Sequence, residues 1–324
     1  MDKIRWGILG PGQIANKMAE ALCNLPDAEV AAVGSRREEA GRKFAARHGI
    51  PTAHRGYEAL AADPNVDAVY VATPHPFHKD AAILCMEAGK AVLCEKPFAV
   101  NARQAAEMIK KARENKVFLM EAMWTRFLPA IQKLKQLVAD HAVGQAKMLE
   151  ADFGFRSQRD PRGRLFAPEL AGGALLDVGV YPISLDSFLF GTPSRVASLA
   201  DIGPTGVDEQ NAVILAHDGG PLSVLVSAVR TTTRHEACVL GTQGKITVHS
   251  FWTASGLTIC REGREETMEL PIAGNGFEYE AQEVMRLLRE GKTESPEMPL
   301  DETLSVMKTM DRIRDQWGLK YPFE

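Results

Sequence analysis

The chain has 324 residues and a formal net charge of −4 at pH 7. This length suits two domains, because a single domain takes roughly 100–200 residues. Acidic and basic residues are interspersed, which excludes a broad cationic face, so we expect neither nucleic acid nor a membrane as a partner.

The N-terminal segment leads directly into the first predicted strand. Met1–Trp6 contains no continuous apolar stretch. No later run approaches the roughly 18 apolar residues that a membrane span needs. We therefore expect a cytoplasmic protein.

A strand, a glycine turn and a helix open the chain. The apolar run Ile4–Leu9 predicts the strand and Gln13–Leu25 the helix. Between them Gly10 permits a tight turn, and Gly12 allows the backbone to approach a pyrophosphate. The helix N-terminus directs N–H groups and its positive dipole end at the phosphates. This arrangement predicts a dinucleotide site that contains Gly10, Gly12, Gln13 and Ile14.

The residues after the second predicted strand indicate which dinucleotide binds. Glu29–Val33 is followed by Ser35, Arg36 and Arg37, where an NAD-binding protein usually has an acidic residue against the ribose 2′-hydroxyl. A hydroxyl and two guanidiniums suit a 2′-phosphate instead, so we expect NADP rather than NAD. Ser35 also fits a capping box at the start of a helix over Arg37–His48, and this role leaves both arginines free.

Strands and helices alternate up to about Glu121. This alternation predicts a doubly wound parallel sheet, that is, an α/β Rossmann fold over residues 1–122. Ligands of such sheets lie at the carboxyl ends of the strands, where Thr73-Pro74 and Glu95-Lys96-Pro97 fall. The other predicted strands are Ala68–Ala72, Ala91–Cys94 and Val117–Met120, and the other helices are His78–Ala88 and Ala102–Asn115.

Residues 123–324 show a different pattern and predict an α+β domain. Along Leu222–Val229 alternate residues make one face markedly more apolar, and Gly241–Gly244 is a turn between two further strands. We expect a large, mainly antiparallel, open-faced sheet with helices on one side. A second subunit is the simplest cover for the other face, so we expect a homo-oligomer, either a dimer or a tetramer. The remaining predicted elements are helices near Pro129–Asp140, Gly173–Phe190, Phe277–Glu290 and Leu300–Trp317 and a strand at Gln145–Phe153.

Four motifs give the chain a resemblance to a known family. Gly10–Ala15, Thr73–His78, Glu95–Phe98 and Gly172–Pro182 occur in the order found in the glucose-fructose oxidoreductase / inositol dehydrogenase / rhizopine-catabolism (Gfo/Idh/MocA) family. Met120–Phe127 is similar to the branch with dimeric trans-dihydrodiol dehydrogenases and NADP-dependent D-xylose dehydrogenases. The resemblance implies an NADP-dependent oxidoreductase that transfers hydride between a nicotinamide and a hydroxyl-bearing carbon of a small cyclic polyol, either an aldose or a trans-dihydrodiol.

Lys96 and Tyr181 are the candidate catalytic residues. Alcohol oxidation moves a hydride to the nicotinamide and a proton to a positioned side chain. The Lys96 ammonium can polarise the substrate oxygen, and the resemblance implies that Tyr181 is its acid/base partner. Alternatively Lys96 itself carries the proton and Tyr181 orients the substrate. Asp177, four residues before Tyr181, shares a helix face with it and is expected to organise hydrogen bonds around the substrate.

The resemblance also implies further cofactor and substrate contacts. It assigns Thr73 and Pro74 to the nicotinamide side of the cofactor, with His78 shaping that wall. In a cleft between the domains aromatic planes stack on a ring and an arginine donates to vicinal hydroxyls, although packing at a domain interface is an alternative role for these residues. The expected substrate contacts are Asp177, Trp124, Arg126, Phe153 and Phe155. The expected cofactor contacts are Gly10, Gly12, Gln13, Ile14, Ser35, Arg36, Arg37, Thr73, Pro74, His78, Glu95 and Lys96.

The histidines do not predict a metal site. His75 and His78 are three residues apart and would need further ligands, and Pro76 disrupts a regular helix face between them. We therefore expect no bound metal.

Two other functions are open at the level of the sequence. Some members of the family bind a dinucleotide and act as regulators through protein contacts. The presence of both Lys96 and Tyr181 favours an enzyme over such a sensor. Reduction of a tetrapyrrole is a third possibility, which would require a wide apolar cleft.

Overall fold

The computed structural model describes residues 3–324 and divides into two compact units. The first unit extends to Trp124 and also contains residues 273–303. The second unit consists of Thr125–Ile272 and Leu304–Glu324. The sequence assigned the whole of 123–324 to the second domain, so the inclusion of 273–303 in the first unit is a difference from that expectation.

Local contacts explain why residues 273–303 join the first unit. The helix Phe277–Arg289 packs against the first helix of the chain. The Asn24 side-chain amide donates to Glu278 at 2.9 Å, and the Leu119 N–H donates to the Thr293 carbonyl at 3.1 Å. These contacts connect residues far apart in the sequence, so no local pattern could predict them.

The first unit contains a parallel sheet of six strands. They are β1 Ile4–Leu9, β2 Ala28–Ser35, β3 Thr52–Arg55, β4 Ala68–Val71, β5 Ala91–Glu95 and β6 Leu119–Ala122. The helices are α1 Gln13–Cys23, α2 Glu38–His48, α3 Tyr57–Ala61, α4 His78–Glu87 and α5 Ala102–Asn115, with α8 Phe277–Arg289 added from the later segment. The strand order is β3-β2-β1-β4-β5-β6 with every pair parallel. The order reverses between β1 and β4, which is where such sheets bind ligands.

The predicted Rossmann fold is confirmed, with one strand added. β3 was not predicted, because its four residues alternate between half-buried and exposed positions and form no apolar run. As an edge strand it pairs only with β2. The other five strands lie at the predicted positions within two residues or so at either end.

The second unit contains a sheet of eight strands. They are β7 Ala146–Gly154, β8 Arg195–Ile202, β9 Asp208–Ala216, β10 Leu222–Ala228, β11 Ala237–Gly241, β12 Gly244–Val248, β13 Gly256–Arg261 and β14 Arg264–Glu269. The helices of the second unit are α6 Pro129–Ala139, α7 Val180–Phe190 and α9 Leu300–Trp317. The first residues of α9 belong to the first unit. The order is β14-β13-β12-β11-β7-β10-β9-β8, and only β7 and β10 are parallel neighbours. The expected mainly antiparallel sheet is therefore confirmed.

One face of this sheet packs on α7 and the other is open. On β10 the buried face consists of Ser223, Leu225 and Ser227, so two of its three residues are small and polar. Leu222 and Val224, on the more apolar face, are 40% and 37% exposed. The apolar face of β10 thus points away from the unit's own helices.

An apolar helical segment forms part of the core of the second unit. Within residues 3–324, Pro168–Phe190 alone has the length and composition of a membrane span, which differs from our expectation that no run would approach that length. Most of this segment is buried inside the structure. Such burial is typical of the core helix of a globular unit.

Candidate functional site

The two glycines of the first turn have different surroundings. Gly10 has φ +94°, and a Cβ there would lie 2.9 Å from the Ala72 carbonyl oxygen. A Cβ on Gly12 would meet no atom within 4 Å. Gly12 and Gln13 are exposed at the start of α1, where the first turn carries neither a side-chain cap nor an acidic residue. This open, positive helix end fits a pyrophosphate.

Two arginines at the end of β2 form an exposed cationic group. The Arg36 guanidinium carbon lies 4.5 Å from the centroid of the Phe77 ring and 6.0 Å from that of Tyr57, in cation–π range. Arg37 is exposed beside it. The Ser35 hydroxyl donates to the Arg37 carbonyl at 2.8 Å and accepts from the Arg37 N–H at 3.2 Å. The group thus presents two exposed guanidiniums, which suits a phosphate, while the Ser35 hydroxyl is engaged within the turn.

The capping role considered for Ser35 is wrong. The helix α2 begins at Glu38, and its N-cap is Arg37, with no side-chain capping bond. The short loop between Ser35 and Arg37 uses the hydroxyl instead, within a two-residue turn.

His78 joins two loops at the carboxyl end of the first sheet. Its ring is fully buried, with Nδ1 2.9 Å from the Pro97 carbonyl oxygen and Nε2 2.7 Å from that of Thr73. Burial lowers the pKa of His78, although both backbone carbonyls oppose this shift. Because both nitrogens face carbonyl oxygens, His78 braces these loops and has no lone pair directed toward a metal.

The hydroxyl of Thr73 lies at the switch point of the sheet. It is buried and has no hydrogen-bond partner among residues 3–324. A buried hydroxyl without a partner is costly, so a polar group of a bound ligand is well suited to this position. Pro74 follows it on the surface. Together with the open space at Gly12, this hydroxyl shows that the residues present fit a dinucleotide.

Lys96 follows directly after β5 and is held through Glu95. The Lys96 N–H donates to Glu95 Oε2 at 3.0 Å, and the Tyr70 hydroxyl donates to Oε1 of the same carboxylate. Glu95 is buried, whereas Lys96 is half-buried. The carboxylate therefore faces the interior and supports the backbone from which the Lys96 ammonium extends.

Asp177 and Tyr181 lie at the start of the long buried helix of the second unit. A π-helical turn, Leu175–Gly179, leads into α7, so the stretch is helical as expected, and the π turn was not predicted. Asp177 is buried and forms an ion pair with Arg164 from the preceding loop. Such π turns occur frequently at functional sites.

The ring of Tyr181 is part of an aromatic cluster. Its centroid lies 5.2 Å from that of Phe153 on β7. Phe153 stacks on Trp252 at 5.0 Å and contacts His235 edge-to-face at 5.1 Å. The sequence did not single out Trp252 or His235, because neither belongs to a motif. Trp252 lies in a short 3-10 helix and His235 in a loop, and only the sheet brings them to Phe153. Phe155, two residues beyond Phe153, is half-buried and donates its N–H to the Ala228 carbonyl.

Two expected substrate residues have interior packing roles. Trp124 is 4% exposed and stacks on Phe277 at 4.8 Å within the first unit. Arg126 is 2% exposed, donates to the Ser184 carbonyl and hydroxyl at 3.3 Å, and lies 4.5 Å from the Phe188 ring centroid. Their contacts agree with packing, the alternative role considered for them.

The structure thus assembles two groups of candidate site residues, one in each unit. The first lies at the carboxyl ends of the adjacent strands β2, β1, β4 and β5 and comprises Gly10, Gly12, Gln13, Ile14, Ser35, Arg36, Arg37, Thr73, Pro74, Glu95 and Lys96, with His78 beneath them. The second group contains Asp177, Tyr181, Phe153 and Phe155.

Comparison with known proteins agrees with this organisation. Residues 4–123 match an oxidoreductase family with an NAD-binding Rossmann fold, GFO_IDH_MocA, and residues 131–247 match the GFO/IDH/MocA C-terminal domain. The chain is 38% identical to trans-1,2-dihydrobenzene-1,2-diol dehydrogenase of Xenopus tropicalis, over 98% of this chain and 99% of that protein. The protein of the same name from Homo sapiens is 36% identical over 98% of each chain.

Solved structures of similar proteins share the whole fold. KijD10, a 3-ketoreductase from Actinomadura kijaniata in complex with NADP and TDP-benzene, is 25% identical with a TM-score of 0.89, over 97% of this chain and 98% of that one. An aldose-aldose oxidoreductase from Caulobacter crescentus, 24% identical with a TM-score of 0.89 over 98% of both chains, has the same fold. The fold of these solved structures therefore includes both units of the chain.

Proposed function

Because the chain belongs to the Gfo/Idh/MocA family and is an NAD(P)-dependent dehydrogenase of CH–OH groups, we propose that it uses NADP and acts on a small cyclic polyol. The aromatic cluster of Phe153 and Trp252 beside Tyr181 is the observation that carries this proposal, because flat rings stack against the face of a cyclic substrate. Both an aldose and a trans-dihydrodiol fit this description. The names of the relatives make a trans-dihydrodiol the first substrate to test.

We propose a preference for NADP because of the cationic group after β2. Arg36 and Arg37 offer donors to a 2′-phosphate, and no carboxylate stands beside them in Ser35–Arg37 to accept from a 2′-hydroxyl. The stacking of Arg36 on Phe77 holds one guanidinium in place before the ligand arrives. KijD10, which shares the fold, was solved with NADP.

Substitution of both arginines tests the choice of cofactor. The Arg36→Ala/Arg37→Ala double variant should weaken NADPH binding by about tenfold or more, because charge-assisted hydrogen bonds to the phosphate are lost. Binding of NADH should change by no more than about threefold, since it lacks that phosphate. The matched control is Arg42→Ala/Lys43→Ala, which removes the same charge from the exposed surface of α2. Equal losses for both cofactors, measured by fluorescence titration, would contradict the proposal.

In the proposed reaction Lys96 and Tyr181 handle the proton of the substrate hydroxyl. The nicotinamide, when bound, supplies the hydride acceptor or donor. The Lys96 ammonium stabilises negative charge on the substrate oxygen. Tyr181 accepts or returns the hydroxyl proton. Asp177, in its ion pair with Arg164, orders the hydrogen bonds at the start of the helix that carries Tyr181.

Removal of the ammonium tests the catalytic assignment. Lys96→Met should lower kcat for NADP reduction by about 100-fold or more, because a positioned proton-transfer group is lost. NADPH binding should stay near the wild-type value. Lys110→Met, on the exposed face of α5, is the matched control and should behave as wild type. The assay uses a panel of trans-dihydrodiols and aldoses, and a Lys96→Met enzyme with near-normal kcat would refute the role of Lys96.

We also propose that two copies of the chain pair through the open face of the eight-stranded sheet. The large apolar side chains that are exposed there come from three neighbouring strands, and the sheet register sets Ala197, Ile214 and Val224 in one row across them. Contiguous exposed apolar surface of this kind marks an association site. A two-fold dimer covers the same face on both copies at once.

A further inference from the structure

A buried polar network of the second unit lies under the π-helical turn Leu175–Gly179. At the first residue of this turn, the Leu175 N–H donates to Asp208 on β9. The Asn211 side-chain amide donates to the same carboxyl oxygen, and the Asn211 side-chain carbonyl accepts from the Ser227 hydroxyl at 2.9 Å. All three side chains of the network are buried. Buried polar groups that bond to one another in this way fix one local arrangement.

The same network contacts the last residue of the turn. A Cβ on Gly179 would lie 2.8 Å from the Ser227 Oγ, so the backbone there packs directly on this hydroxyl. Asp208 and Ser227 therefore hold the two ends of the turn that carries Asp177. The helix α7 follows at once, and Tyr181 is its second residue.

A tyrosine distant in the sequence holds the residues that lead into the turn. Tyr321 is 3% exposed, and its hydroxyl donates to the Gly172 carbonyl at 2.7 Å. Gly173 follows with φ +120°, and a Cβ there would clash with the Asp208 carboxyl group. The entry to the turn is thus fixed between the Tyr321 hydroxyl and the buried carboxyl group.

The tyrosine is itself held by α9. Arg314 on this helix donates to both carboxyl oxygens of Glu324, at 2.8 and 3.0 Å. The Arg314 guanidinium carbon lies 5.1 Å from the centroid of the Tyr321 ring, and the Tyr321 N–H donates to Glu324 at 2.9 Å. The ring and backbone of Tyr321 are therefore both anchored, so its hydroxyl holds the Gly172 carbonyl at a set position.

We propose that Tyr321 and Ser227 are positioning residues for Tyr181, which act through the backbone on either side of the π-helical turn. Tyr321 fixes the entry at Gly172 and Ser227 fixes the exit at Gly179, so together they set where the helix that carries Tyr181 begins. A displacement of about 1 Å in a group that takes part in the reaction can cost about 100-fold in rate. Only the link to proton transfer rests on the proposed function, because the order of the turn is a property of the second unit alone.

Hydrogen exchange followed by mass spectrometry tests the hold on the turn without any substrate. In Tyr321→Phe the amides of residues 172–181 should exchange about tenfold faster than in the wild type, because the ring stays and the bond to Gly172 is lost. The matched control is Tyr279→Phe, which removes a hydroxyl that accepts from the Ala273 N–H in the first unit and should leave this exchange unchanged. A wild-type exchange rate for residues 172–181 in Tyr321→Phe would overturn the proposal.

Kinetics test whether this hold serves Tyr181. Tyr321→Phe and Ser227→Ala should each lower kcat by about tenfold and leave the KM for NADP within about twofold, because the proposed cofactor residues lie in the first unit. A purely structural bond would lower the free energy of unfolding and leave kcat unchanged at a temperature where the protein is fully folded. In a Tyr181→Phe background neither substitution should lower the residual kcat further, since the group that it positions is gone.

The outcomes separate positioning from the proposed function. A wild-type kcat in the folded Tyr321→Phe and Ser227→Ala variants, or full additivity of either with Tyr181→Phe, would refute positioning. If Tyr321→Phe fails to fold, Ser227→Ala decides by the same exchange and kinetic criteria. A wild-type kcat in Tyr181→Phe alone would refute the catalytic role of Tyr181, while hydrogen exchange would still report on the turn.

Discussion

Two glycines two residues apart are required for different physical reasons. Gly10 adopts a left-handed backbone against the Ala72 carbonyl, so its lack of a side chain serves the fold. Gly12 has φ −91°, which any residue adopts, and open space where a Cβ would be. Its lack of a side chain therefore leaves room for a ligand. The glycine motif predicts the same division, a tight turn at Gly10 and close approach of a ligand at Gly12, and the coordinates give the local geometry behind it.

Alanine at each position should separate stability from binding. Gly10→Ala should lower the free energy of unfolding by more than about 1 kcal/mol, because of its left-handed φ and the close carbonyl. Gly12→Ala should change it by no more than about 0.5 kcal/mol. Gly12→Ala should nevertheless weaken NADPH binding by about tenfold, because the methyl group occupies the approach of the pyrophosphate. Urea denaturation and cofactor titration measure both quantities, and a destabilised Gly12→Ala with intact binding would contradict the division of roles.

Residues whose role follows from local chemistry could be predicted, and residues whose role follows from burial could not. Ser35, Arg36 and Arg37 are adjacent in the sequence, so a phosphate site could be predicted from them without the fold. Trp124 and Arg126 also stand in a motif, but their partners Phe277 and Phe188 lie far away in the sequence. Interior partners of this kind are set by tertiary packing.

At the scale of elements, a buried acid from a neighbouring strand supports the start of the helical segment that carries Tyr181. Asp208 on β9 is fully buried, and its Oδ2 accepts from the Leu175 N–H and from the Asn211 side-chain amide, both at 2.8 Å. Its other oxygen has no partner among residues 3–324. Burial raises the pKa of Asp208 to about 7, although the two hydrogen bonds oppose that shift. The oxygen without a partner can take up a proton without the loss of either hydrogen bond.

This buried acid makes stability depend on pH in a defined direction. The folded state holds a proton on Asp208 from the ordinary value of 3.8 up to about 7, whereas the unfolded chain releases it near 3.8. The contribution of Asp208 is therefore fully present below that lower value and is lost as the pH rises toward 7. We expect it to reach a few kcal/mol, because each pKa unit corresponds to about 1.4 kcal/mol.

Asp208→Asn tests this dependence. The variant should show a shallower fall in the free energy of unfolding between pH 4 and 7 than the wild type, because asparagine does not titrate. Asp218→Asn, in an exposed turn, is the matched control and should keep the wild-type slope. Urea denaturation at several pH values gives the slopes. An Asp208→Asn slope equal to that of the wild type would mean that Asp208 is ionised in the folded protein.

The sequence analysis missed elements whose residues show little apolar character or periodicity. β3 contains four residues and lies at an edge. The helix α8 was recognised, yet its membership of the first unit was not, because membership depends on contacts with α1 that lie more than 250 residues away. Periodicity identifies the type of an element, whereas packing decides its neighbours.

At the scale of the whole molecule, what covers the second sheet decides which of its two faces points outward. The alternation along Leu222–Val229 predicted one apolar face, and the apolar face is the outward one. The inner face instead has Ser223 bonded to Asp186 and Ser227 bonded to Asn211. A single sequence does not distinguish these two orientations, since an apolar face can be buried by its own chain or by another copy.

The exposed apolar side chains are concentrated on one part of the molecule. Among residues 3–324 six large hydrophobic side chains are exposed, and all except Phe323 lie on β8, β9 and β10. Leu199, the most exposed at 81%, is on the edge strand β8, next to Ala212 in the register. An uncovered edge and face of this composition promotes association, which supports the proposed pairing of two copies.

A charge in the middle of this face should therefore prevent the proposed pairing of two copies. Ile214→Glu places a carboxylate at the centre of the row Ala197, Ile214 and Val224, where burial against a second copy would cost several kcal/mol. Light scattering coupled to size-exclusion chromatography should give at least twice the chain mass for the wild type and the mass of one chain for the variant. The control Glu266→Lys changes a charge on the far edge strand β14 and should stay associated. Ile214 is 48% exposed within one chain, so its replacement leaves the fold of the monomer intact. An Ile214→Glu protein that keeps the wild-type mass would exclude this face as the interface.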